Sequence, residues 1–439
     1  MSDKEGLHDR IKRAVDETEI IDTHEHLLQE KERLSAKLDL FETILTHYAS
    51  SDLVSSGMPP EDLEKIRNPS LPLGKRWQLL KPHWEMIQNT GYAKAVNIAI
   101  RNLYGLDGIT DDTYEKLASR MIEANKPGVY EWILKQKSKI EVSILDSLFA
   151  SLEDYDERFF APVTRFDDFV TATNRTEIEA LASRAGKPIH SFSDFNQALE
   201  AAFEHASKHI VGVKIGLAYM RELHFEKVSS KEAEEVFANI YNQRFFRRRE
   251  LARRAERIPE GLSLRETKPL QDYTVHMIIQ LAAEKGLPVQ IHTGIQEGNE
   301  NIITNSNPTL LINLFREYRE VKFDIFHGSY PYTGELAALA KNFQNVYVDM
   351  CWLHIISPHR ARQALSEWLD TVPSNKILGF GGDYIFAEGV YGHQVMAREN
   401  IARVLTEKVE EDYFTEQEAT KLATMLLREN ACKLFFEAR

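Results

Sequence analysis

Short apolar runs alternate along the chain with longer stretches of helical periodicity. The runs are rich in β-branched and aromatic residues and end in polar or small ones, which is typical of buried strands. Strands that alternate with helices indicate βαβ units and a parallel sheet. Eight such runs occur in the 439 residues: EIIDTHEH, IEVSILDSLF, RFFAPVTRF, HIVGVKIGLAY, LPVQIHTG, VKFDIFHGS, NVYVDMCWLH and KILGFGGD.

Eight strands predict a (β/α)8 TIM barrel, and residues 1–439 are expected to form this single domain. The alternative, a doubly wound open sheet, would place G-x-G-x-x-G after the first strand, and no such motif is present there. Helical stretches at 27–138 and 221–285 are expected to be insertions after the first and fourth strands, at the rim where loops cover a pocket. In the helix SDFNQALEAAFEHASK, Ser193 is the expected N-cap.

Polar side chains stand where several apolar runs end. His24 and His26 are two positions apart and share one face of a strand, whereas His292, His327 and Asp383 end later runs. An isolated H-x-H is better explained by one buried, hydrogen-bonded histidine and one surface histidine than by a metal site. Because strand ends converge at one rim of a barrel, and buried polar groups are costly without a partner, the whole set predicts a shared divalent metal.

Histidine and aspartate ligands suit Zn²⁺, with Mn²⁺ and Fe²⁺ as alternatives. Three or four protein ligands with one open position are typical of a catalytic site. Such a metal lowers the pKa of bound water to about 7. Asp383 is the expected general base, and His327 is expected to bind metal or to polarise a substrate carbonyl.

Lys214 lies inside the apolar run of the fourth strand, where a lysine is costly unless it is paired. It is expected to contact the substrate or to form an ion pair with a barrel carboxylate. A carboxylated lysine that bridges two metals is the third alternative.

Other polar and aromatic residues follow the strands and are candidates to line the pocket. Arg221 could hold a substrate carboxylate bidentately, with a solvated arginine as the alternative. The others could equally serve in local packing: Tyr219, Tyr330, Trp352 and His354. Six further histidines fit no strand end and are expected to be structural or solvated: His47, His83, His190, His205, His209 and His276.

Composition narrows the class of protein. A formal net charge of -13 argues against a nucleic-acid partner, and a small-molecule substrate is expected. The absence of a signal peptide or of an apolar stretch of about 18 residues predicts a cytoplasmic protein with no membrane span. The basic cluster RFFRRRELARR from Arg244 is expected to be an amphipathic helix, and the aromatics near Phe245 could bury a homo-oligomer interface.

The motifs DTHEH, HTG, HGSYP, GGD and ENACKLF, in this order, resemble the amidohydrolase superfamily. The resemblance implies a (β/α)8 barrel with one or two divalent metals at its rim. It implies that His24, His26, His292 and Asp383 are metal ligands and that Asp383 also handles the proton. His327 would orient the substrate or bind a second metal.

The early position of H-x-H is similar to the amidohydrolase 2 type, which contains decarboxylases, lactonases and hydrolases, and no N-terminal β-sandwich is expected. The stretches QIHTG and HGSYPYTGELAALAKNFQNVYVDM are most similar to the nodulin-type amidohydrolase domain. The insertion after the first strand and KPLQDY resemble uronate isomerases. The His/Asp set at the strand ends predicts a metal-dependent hydrolase that cleaves an amide or ester of a small acidic molecule. Isomerisation of a sugar acid and decarboxylation are the alternatives.

Overall fold

The computed structural model describes residues 6–146, 154–251 and 261–437, and its core is one eight-stranded parallel sheet. The strands follow one another around the sheet in chain order, so the predicted (β/α)8 barrel is confirmed. They are β1 (Ile20–Glu25), β2 (Ile140–Asp146), β3 (Phe160–Arg165), β4 (Gly212–Ile215), β5 (Val289–Ile291), β6 (Phe323–Ile325), β7 (Val346–Asp349) and β8 (Ile377–Leu378).

The barrel closes where the segment that follows β8 runs beside β1. The Asp383 N–H donates to the His24 carbonyl at 2.8 Å, and the His26 N–H donates to the Tyr384 carbonyl at 3.0 Å. These two backbone hydrogen bonds join the first and last strand-end motifs of the chain. Residues that are 359 positions apart in sequence therefore become direct neighbours.

The stretch between β1 and β2 forms a helical layer with an apolar core of its own, which includes Trp77, Leu80 and Trp84. Helix α1 (Leu7–Glu17) precedes β1. The layer contains α2 (Glu30–Ser35), α3 (Leu40–Ile44), α4 (Tyr48–Ser55), α5 (Pro60–Arg67), α6 (Leu73–Ile87), α7 (Gly91–Tyr104) and α8 (Tyr114–Ala124), followed by a π-helix at Glu131–Lys137.

The remaining helices connect the later strands. They are α9 (Asp167–Thr171), α10 (Arg175–Ala185), α11 (Phe192–Ala206), α12 (Ser230–Leu251), α13 (Lys268–Glu284), α14 (Ile312–Glu317), α15 (Thr333–Asn342), α16 (Leu353–Ile356), α17 (Pro358–Thr371), α18 (Ala387–Glu410), α19 (Glu416–Thr424) and α20 (Asn430–Phe435). Among the described residues, no helix combines the length and the apolar composition that a bilayer span requires.

The structure bears on two expectations, the N-cap of α11 and the basic cluster on α12. The N-cap of α11 is Ser191 and not Ser193, because Ser191 forms a capping box with Asp194 three residues later. The basic cluster from Arg244 lies partly on α12, but its side chains, with that of Phe245, are outside the described residues. The subunit interface suggested for them stays a prediction.

A buried ion pair ties the helical layer to the barrel. Arg33 on α2 contacts both carboxylate oxygens of Glu388 at 2.9 and 2.7 Å, and the two side chains are 1% and 4% exposed. The Tyr104 hydroxyl donates to the same carboxylate at 2.6 Å. Glu388 is the second residue of α18 and comes only five residues after Asp383, so this ion pair fixes the layer next to the strand-end motifs.

We predict that Arg33→Met lowers the free energy of unfolding by about 3–5 kcal/mol, because it leaves the Glu388 carboxylate buried without its cation. Urea denaturation followed by circular dichroism measures the change. The control is Lys31→Ala, which removes an exposed ion pair with Asp154 and should have little effect. Equal stabilities of the two variants would contradict the structural role of the pair.

Candidate metal centre

Three of the predicted ligands converge on one point at the carboxyl-terminal rim. His24 Nε2 and His26 Nε2 each lie 3.3 Å from the same carboxylate oxygen, Oδ1 of Asp383. The alternation of side chains along β1 brings both imidazoles to one face, with ring centroids 4.7 Å apart. All three side chains are largely buried, with exposed fractions of 2%, 11% and 5%.

The hydrogen bonding of His26 indicates that a cation binds at this point. Its Nδ1 lies 2.7 Å from the Asp146 carbonyl, which can only accept, so the proton of a neutral imidazole is on Nδ1. Burial lowers the pKa of His26 and keeps the ring neutral. Its bare Nε2 then faces a carboxylate oxygen, and two acceptors repel unless a cation lies between them. The donor set therefore fits a divalent metal.

The other two side chains are also in the protonation state that binds metal. Burial and the nearby Lys214 charge lower the pKa of His24 to about 3. Burial alone would raise the pKa of Asp383, but the hydrogen bond with His24 and the neighbouring His47 and His327 side chains hold it well below its usual range. At neutral pH the centre offers two neutral imidazoles and one carboxylate.

His292 and His327 lie beside this group as a hydrogen-bonded pair. His327 Nε2 lies 2.9 Å from His292 Nδ1, and His292 Nε2 lies 3.0 Å from the Ile295 carbonyl. The His327 ring centroid is 6.5 Å from that of His24. The structure thus brings both histidines to the cluster. The role of His292 as a metal ligand stays a prediction, because its Nε2 is hydrogen-bonded to the backbone here.

The two acidic residues of DTHEH hold the loop that carries Asp383. Asp22 Oδ1 accepts from the Gly382 N–H at 3.0 Å, and Glu25 Oε2 accepts from the Tyr384 N–H at 2.7 Å. A Cβ at Gly382 would lie 1.8 Å from Glu25 Oε1, so only glycine allows this approach. The acids therefore fix the backbone on both sides of Asp383.

These two acids also limit the negative charge beneath the centre. Burial raises the pKa of Asp22 to about 6. Burial and the neighbouring Asp22 raise the pKa of Glu25 well above its usual range. A pair of buried carboxyls that interact in this way retains a proton near neutral pH.

Lys214 is buried with its amine directed at a ring face. The residue is 1% exposed, and Nζ lies 3.6 Å from the centroid of the Phe326 ring. Across the described ranges its amine has no hydrogen-bond partner, so the ion pair with a barrel carboxylate is not formed there. Burial and the charge of Arg165 lower the pKa of Lys214 to about 8. Substrate contact and carboxylation stay open as roles for this amine.

Asp146 at the end of β2 joins the centre. It was not among the predicted ligands, although it ends the apolar run IEVSILD just as Asp383 ends the run KILGFGGD. Its carboxylate, His24 and His26 offer ligand atoms that lie within 4.8 Å of one another. The Asp146 Oδ2 atom also pairs with Arg165, at 2.5 Å from Nη2 and 2.7 Å from Nε. The Arg165 side chain is 28% exposed and so presents a partly accessible cation next to the centre.

Arg221 does not have the free guanidinium that was expected of it. Its Nη2 lies 2.7 Å from Asp272 Oδ1, its Nη1 donates to Gln271 at 2.7 Å, and the residue is 9% exposed. Both the substrate contact and the solvated alternative are therefore corrected to a buried ion pair. Arg165 becomes the candidate to bind a substrate carboxylate, since part of its guanidinium remains accessible.

Five rings form a closed cage beside the histidines, with neighbouring centroids 4.6–6.1 Å apart. The members, in order around the cage, are His47, Trp352, Tyr48, Tyr92 and Tyr384. The cage reaches the metal centre because the Trp352 ring centroid is 4.8 Å from that of His327. His47 was expected to be structural or solvated. The residue is 7% exposed, and helices of the inserted layer carry it to the rim.

Several residues of the metal centre and the aromatic cage have strained backbone conformations. His47, His327, Trp352 and Asp383 have positive φ angles of 53°, 58°, 68° and 63°, which non-glycine residues rarely adopt. Such conformations cost about 1–3 kcal/mol each and persist where the surrounding structure enforces them, often at functional sites.

The remaining pocket candidates divide between rim and packing. Tyr219 is 47% exposed, and its ring centroid lies 4.7 Å from that of His292, so it stands at the rim. Tyr330 is half-buried, and its carbonyl accepts from the Ile295 N–H at 2.8 Å. His354 is fully buried, with Nε2 3.0 Å from the Gly379 carbonyl, and serves in packing behind β8.

The chain is similar to a known protein family and to a curated protein. The amidohydrolase model Amidohydro_2 matches residues 245–436. Protein fluG of Emericella nidulans is 26% identical over 324 residues, which are 67% of this chain. The match covers 35% of the length of that protein.

Solved structures of similar fold extend over nearly the whole chain, each at 16% identity. A uronate isomerase from Thermotoga maritima has a TM-score of 0.77, with 98% of this chain and 97% of that chain covered. A glucuronate isomerase from Caulobacter crescentus has a TM-score of 0.77, with 99% and 94% covered. A putative metal-dependent hydrolase from Lactobacillus casei has a TM-score of 0.59, with 97% of each chain covered.

We predict that Glu25→Ala weakens Co²⁺ binding by at least about tenfold, because the loop that carries Asp383 loses its support. Glu25→Gln keeps an oxygen that accepts from the Tyr384 N–H and should bind Co²⁺ within about threefold of the unchanged protein. Titration followed by the visible absorption of bound Co²⁺ measures both. Equal weakening in the two variants, or none in Glu25→Ala, would contradict the role of this hydrogen bond.

Proposed function

We propose that this protein, which has a barrel of the amidohydrolase superfamily, is a metal-dependent hydrolase. It would cleave an amide or ester bond in a small acidic molecule. The observation that carries the proposal is the approach of His24 Nε2 and His26 Nε2 to the same oxygen of Asp383. Zinc is the proposed metal, because neutral imidazoles and a carboxylate suit it, and His292 is proposed as a further ligand.

A divalent ion held by these residues would supply Lewis-acid activation of water and of the scissile carbonyl. In this proposal Asp383, which is ionised at neutral pH, accepts the proton of the attacking water as general base. In this proposal His327 contacts the substrate carbonyl and Asp383 returns the proton to the leaving group. Burial of these groups excludes bulk water and strengthens their electrostatic effect on the reacting atoms.

Recognition of an acidic substrate is proposed to rest on the positive side of the rim. Arg165 ends β3 and keeps 28% of its side chain exposed, and Lys214 on β4 has an amine without a partner in the described structure. A planar guanidinium binds a carboxylate through two parallel hydrogen bonds. Tyr219 stands at the same rim and is proposed to contact the substrate there.

Isomerisation of a sugar acid is the second candidate function. The observation in its favour is that the fold of two uronate isomerases covers this chain almost end to end, including the layer between β1 and β2. The same general base would then move a proton between neighbouring carbons. Both candidates depend on a metal, and they differ in whether water enters the product.

The test is an activity screen of the purified, zinc-loaded protein on two matched panels. One contains amides, esters and lactones of small carboxylic acids, and the other contains uronates assayed for aldose–ketose conversion. We predict hydrolysis that is lost with a chelator, restored by zinc or manganese, and lost in His24→Ala with its bound metal. Ketose formation would favour the second candidate. Full activity without any metal would contradict both.

We predict that the affinity for an acidic substrate falls as the pH rises through about 8, because Lys214 then loses its positive charge. In Lys214→Met, kcat/KM for the acidic substrate should no longer fall as the pH rises through about 8, so the basic limb of its pH profile should disappear. The matched control is Lys376→Met, which removes a lysine of similar lowered pKa that hydrogen-bonds the Ala340 and Phe343 carbonyls. Survival of the limb in Lys214→Met would contradict the assignment.

A further inference from the structure

The hydroxyl oxygen of Tyr92 is a polar atom of the cage that has no role in the proposed reaction. The hydroxyl of Tyr92 is shielded from solvent and has no hydrogen-bond partner in the described parts of the chain. The residue is 4% exposed, and its ring packs between those of Tyr48 and Tyr384. A buried hydroxyl without a partner is unfavourable for folding, so its presence needs an explanation.

The position of Tyr92 is fixed by close backbone packing. It is the second residue of α7, and a Cβ on the preceding Gly91 would lie 1.8 Å from the Ile355 carbonyl oxygen. On the neighbouring helix α18, a Cβ on Gly392 would lie 2.1 Å from the Ala95 carbonyl oxygen. Helix α7 therefore presses directly on the barrel, and the hydroxyl is held by rigid elements.

The hydroxyl is a hydrogen-bond donor near the reacting groups. Burial and the nearby charges of Tyr384 and Asp383 raise the pKa of Tyr92 well above its usual range. The phenol therefore stays protonated. Two other polar atoms of the same cage, His47 Nδ1 and Trp352 Nε1, also lack partners among the described residues. The cage thus combines apolar ring faces with several unused polar atoms.

The cage and the positive side of the rim face each other across the barrel. Trp352 follows β7 and Tyr384 follows β8, whereas Arg165 ends β3 and Lys214 lies on β4. In a barrel of eight strands in chain order, β3 and β4 stand opposite β7 and β8. A molecule that binds Arg165 through a carboxylate would extend its other end towards the cage.

We propose that Tyr92 is a specificity residue that donates a hydrogen bond to a hydroxyl of a hydroxylated carboxylic acid bound between Arg165 and the aromatic cage. This inference deepens the proposed function and rests on it for the orientation of the ligand. Apolar ring faces cover the carbon chain, and the unpartnered polar atoms bind its hydroxyls. A site built to bond a hydroxyl rejects the analogue that lacks it, because its own polar atoms then stay unpaired.

The test compares two acids of equal length and charge, D-gluconate and hexanoate, by calorimetric titration of the full chain. We expect gluconate to bind at least about tenfold more tightly than hexanoate, and Tyr92→Phe to lose most of that preference. The variant should keep or raise the melting temperature, since it removes an unpaired buried hydroxyl. The control Tyr104→Phe lies on the same helix and loses a 2.6 Å hydrogen bond to Glu388, so it should lower the melting temperature and keep the preference.

A wild-type protein without preference for gluconate, including one that binds neither acid, would overturn the proposal. So would a Tyr92→Phe variant with an unchanged preference. Each titration is run with zinc and with a chelator. A protein that holds no metal but shows the Tyr92-dependent preference would refute the proposed metal-dependent reaction and leave the specificity role standing.

Discussion

The contact between β1 and the segment after β8 is the constraint on which the site depends. Barrel closure places His24 and His26 against Asp383, and the backbone hydrogen bonds across this seam fix their distance. Asp22 and Glu25 then hold the loop on either side of Asp383. One short motif, DTHEH, thus supplies two candidate ligands and the supports of a third. Without that support the carboxylate would be free to turn away from the imidazoles.

The two sides of the barrel mouth differ in charge and in polarity. Two neutral imidazoles and the ionised Asp383 carboxylate form the centre, and the Asp146 carboxylate beside them is paired with Arg165. The Asp22–Glu25 pair retains a proton below the centre. Arg165 adds a cation on the β3 side. The opposite side carries aromatic rings, and three of them, His47, Tyr92 and Trp352, each have one polar atom that is unpaired among the described residues. The arrangement suits a ligand with a carboxylate at one end and hydroxylated carbons at the other.

Features encoded by strand periodicity could be predicted from the sequence, whereas features that depend on three-dimensional packing could not. His24 and Asp383 were predicted because apolar runs mark strand ends, and all strand ends of a barrel meet at one rim. No such rule applies to His47, which reaches the rim on an inserted helical layer. Arg165 ends β3, and Arg221 follows β4. Only the fold shows that Arg221 forms a buried ion pair with Asp272 while Arg165 stays partly accessible.

The central claim is that the β1 histidines and the β8 carboxylate hold one divalent ion. Anomalous diffraction from crystals of the zinc-loaded protein, recorded at the zinc absorption edge, tests it directly. The account predicts an anomalous peak about 2.0–2.2 Å from His24 Nε2, His26 Nε2 and an Asp383 carboxylate oxygen. A peak elsewhere, or no peak at these three atoms in protein saturated with zinc, would contradict the account.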